Sequence, residues 1–161
     1  MLKIITVLFG ALALISLIGC TTESGRQEEV RQMFTDYVAA WSTHDVEKIA
    51  SYFTDDCVLE NLARGQVYQG KDKLKEWARM SFVSFPDFKL ELTSIFVSGN
   101  WLGCEWVMKG THTGDAPDFP ATRRSFSVRG CSIVELVNGK IKRESIYWDS
   151  MTFLRQLELM K

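Results

Sequence analysis

The sequence predicts an α+β domain in which three helices precede a four-strand antiparallel meander. Three observations predict it. Apolar residues recur at three- and four-residue steps from Val30 through Met33, Phe34, Tyr37 and Val38 to Trp41, the period of a helix. After the turn Phe85-Pro86-Asp87 the period shortens and strand-forming residues dominate. Gly99-Asn100 and Asn138-Gly139 then punctuate that half, and an Asn-Gly pair is a strong short hairpin signal.

The elements follow in order. Residues 1–19 are expected to be removed. Lys3 is followed by an uncharged apolar run from Ile4 to Ile18, the h-region of an export signal and too short for a comfortable membrane span. The run ends at Leu17-Ile18-Gly19-Cys20, which resembles a bacterial lipobox. The resemblance implies acylation of the Cys20 thiol and cleavage before it. Residues 20–25 become a lipidated tether, and the membrane is reached through the lipid on Cys20. With Thr21 rather than aspartate next, the expected site in a Gram-negative cell is the periplasmic side of the outer membrane.

Residues 26–161 form a single domain, long enough for a real core. A net charge of −1 gives no footprint for nucleic acid. Cys57, Cys104 and Cys131 remain after Cys20, an odd number that cannot be a full disulfide framework. His44 and His112 are the two histidines, and no Cys/His spacing suits a metal. No metal site and no cofactor are expected.

The first helix starts near Arg26 and breaks at Ser42 to Asp45. Asp45 reads as N-cap of a second helix, with Val46, Ile49, Ala50 and Phe53 on its apolar face. Asp55-Asp56 ends it, and Cys57 to Asn61 reads as a short strand. A third helix runs from about Lys71 to Phe82. Four strands follow: Phe88–Ser98, Trp101–Thr111, Arg124–Val137 and Lys140–Trp148. A longer loop at His112 to Thr122 carries Gly114, Pro117 and Pro120. A last helix spans Ser150 to Leu159.

A two-residue turn at Asn138-Gly139 sets Val137 opposite Lys140 and Glu135 opposite Lys142, a favourable charge pair. Outward from there, Gly130 meets Tyr147 and Val128 meets Asp149. On the longer hairpin, pairing Glu105 with Arg129 matches charge with charge. One face then carries Trp106, Met108, Phe126, Val128, Tyr147 and Asp149. The other carries Val107, Cys131, Ile133, Ile146 and Trp148, an apolar outer surface suited to a homodimer. Cys104 and Cys131 face opposite sides, so no disulfide is expected between them. A carboxylate among aromatic rings has its pKa raised and can shuttle protons. Asp149 is that candidate, although an aspartate there also suits the N-cap of the last helix.

Gly-Thr-His-Thr-Gly at 110–114, Pro-Ala-Thr-Arg-Arg at 120–124, Asn-Gly-Lys-Ile at 138–141, Tyr-Trp-Asp at 147–149 and Gln156-Leu157 together resemble SnoaL-like polyketide cyclases and ester cyclases. These lie within the nuclear transport factor two-like superfamily. The resemblance implies a cone-shaped α+β barrel, its helices packed in a strongly bent, mostly antiparallel sheet. It implies aldol ring closure without a cofactor, with Asp149 as acid/base, Asn61 touching ligand and His112 near the pocket rim. The cyclases also use a histidine in the sheet beside the aspartate; here no histidine follows His112. Three functions stand open. One is a membrane-anchored binder of an apolar small molecule, with Asn61, Trp106, Met108, Phe126, Val128 and Tyr147 around it. The others are a cofactor-independent cyclase, isomerase or lyase, and an envelope interaction module.

Overall fold

A computed structural model describes residues 23–116 and 119–160. The expected export signal and Cys20 lie outside the described residues. The chain order is α1 (Glu23–Thr43), α2 (Val46–Ser51), β1 (Phe53–Asn61), β2 (Gln66–Gln69), α3 (Gly70–Ser84), β3 (Lys89–Ser98), β4 (Trp101–Thr111), β5 (Ser125–Val137), β6 (Lys140–Trp148) and α4 (Ser150–Gln156). The strands form one six-stranded sheet in the order β2-β1-β6-β5-β4-β3. Only β1 and β6 run parallel among the described pairs. The sheet curls around α1 and α3, which bury Phe34, Tyr37, Val38, Trp41, Leu74 and Ala78 against it.

Asp45 caps α2 as expected, accepting from Lys48 N at 2.9 Å. Phe53 does not belong to that helix. The helix stops at Tyr52, whose carbonyl accepts from Ile141 N, and Phe53 opens β1 fully buried opposite Ile141. Asp55 and Asp56 are therefore strand residues, paired with Lys71 and Lys142. Strand β2 was not expected from the sequence; it is short, with alternating burial.

Asn138 and Gly139 both have positive φ, 52° and 72°, as a type I′ turn requires. Beyond the turn the expected register fails. A bulge at Lys142 leaves Val137 opposite Lys140 and Leu136 opposite Ile141, but moves Glu135 opposite Arg143. One inserted residue reverses every side chain beyond it. Ile146 and Trp148 therefore turn inward, and Tyr147 turns outward, 44% exposed. Asp149, also exposed, follows it out of the interior.

The β4–β5 hairpin is offset by two residues from the expected pairing, with Glu105 opposite Cys131 and Trp106 opposite Gly130. An even slip preserves faces, so Trp106, Met108, Phe126 and Val128 stay inside. The cause is steric. The Trp106 ring lies over Gly130, where a Cβ would overlap it. Its Nε1 donates to Ser132 Oγ at 3.0 Å. Glu105 and Arg129 still meet diagonally at 3.4 Å. Cys104 and Cys131 face opposite sides, and Cys57, Cys104 and Cys131 are free thiols.

Candidate functional site

The inner face of the sheet is a ladder of rows from the closed end of the cone to its mouth. Leu102, Val134, Glu144 and Leu59 form the deepest row around the site. Cys104, Ser132, Ile146 and Asn61 form the next, then Trp106, Gly130 and Trp148, then Met108 and Val128. Four residue steps along β6 lead from Glu144 to Trp148, about 13 Å of depth. Across from the ladder, α1 presents Phe34, Tyr37, Val38 and Trp41, one stripe at helical spacing. Trp77, Ser81 and Phe85 close a second side and Phe153 of α4 a third.

These surfaces enclose a cavity of about 120 Å³. Its walls are mostly apolar, and half of the lining residues are aromatic. Of the charged residues on the lining, Arg64 stands exposed on the β1–β2 turn and Glu144 lies deep, 4% exposed. The Tyr37 hydroxyl donates to Glu144 Oε2 at 2.7 Å. Ser132, which accepts from Trp106, sits in the next row of the ladder and also favours the charged Glu144. Burial pushes the Glu144 carboxyl above the usual range, and the hydrogen bonds from Tyr37 and Ser132 only partly offset it. The Tyr37 hydroxyl is raised too, first by burial and then by the charge of Glu144. Burial also drives the Cys104 thiol up to about 12, which makes it inert in the folded protein. Trp41 Nε1 is buried on the same lining without a hydrogen-bond partner.

The expected site residues divide. Asn61, Trp106, Met108 and Phe126 line the cavity, and Asn61 Oδ1 accepts from Trp148 Nε1 at 2.9 Å. Val128 is buried in the core on the same face, off the lining. Tyr147 is on the outer surface. Asp149 caps α4, accepting from Thr152 N at 2.9 Å and Thr152 Oγ1 at 2.6 Å. Those bonds hold its carboxyl below the usual range, opposite to the shift a buried acid would show. His112 is fully buried outside the cavity, between Phe85 and Phe119. Its Nδ1 accepts from Thr122 N at 3.2 Å, which ties Thr122 to the end of β4. Among the described residues no cluster of His, Cys, Asp or Glu is arranged to hold a metal.

Sequence reasoning missed Glu144 and Tyr37 as a pair. The signal was present: Ile146 lies five positions after Ile141, an odd step. Both can be buried only if a bulge lies between them, and that bulge brings Glu144 inside.

A bent sheet wrapped on helices around a closed-ended aromatic cavity defines the nuclear transport factor two-like class of α+β cone. Solved structures of that shape include TsrD from Streptomyces laurentii, with TM-score 0.74 and 22% identity, covering 83% of this chain and 97% of that one. Another is a protein of ketosteroid isomerase-like fold from Catenulispora acidiphila, solved in complex with trimethylamine, with TM-score 0.70 and 19% identity, covering 79% and 92%. Nogalonic acid methyl ester cyclase from Streptomyces nogalater is 27% identical over 123 residues, 74% of this chain and 90% of that protein. Residues 31–157 match the SnoaL-like polyketide cyclase family, and the chain belongs to it.

Proposed function

We propose that this chain is an exported, lipid-anchored member of the family that holds a compact, largely apolar molecule in its cone. The aromatic cavity of about 120 Å³ over a single buried carboxylate carries that reading. Its size is close to that of a ~150 Å³ cavity that takes up benzene, and well under the ~300–1,000 Å³ of drug-sized sites. A compact guest fits that volume more readily than a fused polycyclic one. Trimethylamine, carried by the neighbour from Catenulispora acidiphila, is a compact guest of that kind.

Native mass spectrometry of the full chain, purified without denaturation, tests this. An added mass that leaves on unfolding supports an occupied cavity. Bare protein that also binds nothing from a panel of compact apolar molecules counts against it. Replacing Cys20 by serine should move the chain from the membrane to the soluble fraction; continued membrane association would end the anchoring proposal.

Catalysis without a cofactor is a second reading, favoured by one observation. The cavity contains an acid whose pKa is displaced by burial, and it touches a tyrosine hydroxyl. On that reading the proton-transfer group is Glu144, and Asp149 is its neighbour in sequence only. Dimerisation through the outer sheet face remains part of the proposal, with different residues from those expected. Phe96, Trp101, Ile133 and Tyr147 now stand there exposed, while Ile146 and Trp148 are inside. A strict monomer in gel filtration at high concentration would remove it.

A further inference from the structure

We propose that the cavity is built for a small organic ammonium cation bearing methyl groups, with Glu144 as counter-ion and the rings of Tyr37, Trp41 and Trp106 as its cage. This rests on the cavity being a ligand site, and names the class of ligand.

The hydrogen bonds around Glu144 are directed. Tyr37 gives its hydrogen to Oε2. Ser132 accepts from Trp106 Nε1 in the adjacent row and turns its hydroxyl side toward Glu144. The floor thus offers donors that a carboxylate can use. Yet no lysine, arginine or histidine pairs with Glu144 among the described residues, and a buried unpaired carboxylate is costly. The raised pKa expresses that cost in the empty protein. A cationic guest supplies the missing charge.

The walls choose the kind of cation. A hard metal ion needs about six oxygen ligands, and this lining is mostly apolar carbon. A primary ammonium has three N–H donors to satisfy, and the deep acceptor beside the rings is one carboxylate. A tertiary or quaternary ammonium has one N–H or none. Its methyl groups pack on rings while its charge is drawn to their faces. The volume of about 120 Å³ suits a group of that size. Arg64 is a like charge on the lining but stands in solvent, where salt screens it.

Four of the lining residues are tryptophans, so their fluorescence reports occupancy directly. The full chain in a non-ionic detergent would be titrated with choline and with dimethylbutanol, its uncharged carbon isostere, between pH 6 and pH 8. Choline is expected to bind at least about tenfold more tightly than the alcohol. Its affinity should rise with pH as binding displaces the Glu144 proton, while the alcohol's should not. Glu144→Gln should abolish the preference, with a single cooperative melting transition, no lower than that of the native chain, confirming the fold. Should that variant not fold, the isostere ratio and the pH dependence of the native chain decide. An alcohol that binds as well as choline overturns the cation proposal and leaves the cavity as an apolar site. Silence from both probes overturns the cation proposal and the small-ligand reading beneath it together.

Discussion

The Tyr37 hydroxyl meets Glu144 Oε2 at 2.7 Å across 107 residues of sequence, tying the first helix to the floor of the sheet. Because burial raises the Glu144 pKa, the folded protein keeps a proton that the unfolded chain has released. The empty protein should therefore lose stability as pH rises from about the usual glutamate value, near 4.5, through the raised one. Glu144→Gln should remove that slope and melt higher than the native chain on the alkaline side. Thermal melts from pH 4.5 to 8 check it, and parallel curves for the two proteins would contradict it.

Asp149 should matter for stability and not for the cavity. Asp149→Ala removes the cap bonds to Thr152 and should lower the melting temperature. Asp149→Asn, also a good N-cap, should retain most of the stability. Neither should alter ligand affinity by more than a small factor. A selective loss of binding in the Asn variant would return Asp149 to the site.

Gly130→Ala puts a methyl group where the Trp106 ring lies. The indole must move and release Ser132 Oγ, at a cost of about 1–3 kcal/mol for overpacking. The expected result is a lower denaturation midpoint with a shifted tryptophan emission. Unchanged emission would mean the ring was not held there.

His112 should make the protein sensitive to acid. Burial lowers its pKa against the opposing pull of Asp115, so the unfolded chain takes up a proton first. Stability is then lost as pH falls from about 6.5 through the lowered value. His112→Asn keeps an acceptor for Thr122 N and should flatten that loss. Melts at pH 7 and pH 5.5 decide the matter.

In the native state Cys131, partly accessible, should react with a thiol reagent while Cys57 and Cys104 stay silent. Denaturation without reductant should release all three. A single reactive thiol after denaturation would reveal a disulfide.

Periodicity and turn chemistry made most of the fold legible: β4 and β6 have the expected bounds, and Asp45 and Asn138-Gly139 do what their types require. What failed was local and consequential. Lys142-Arg143 reads as ordinary alternation, because Glu135 gains a cationic partner in either register. Choosing between them needs the parallel strand β1, whose Val58 aligns with Arg143 and whose Asp56 holds Lys142. That contact is separated by more than eighty residues, beyond the reach of a hairpin argument. Trp106, Met108 and Phe126 survived a wrong register because its error was even, and Tyr147 and Asp149 did not because theirs was odd.

Helix α1 begins beside the Gly99-Asn100 turn, where Arg26 bonds Asn100, and reaches the cavity only at Phe34 to Trp41. Glu23 to Trp41 covers about 27 Å at a helical rise. The proposed lipid on Cys20 would thus lie nearer the Gly99-Asn100 end of the domain than the cavity lining. A protein so mounted would sample solutes that arrive through water, as a cup fixed by its base.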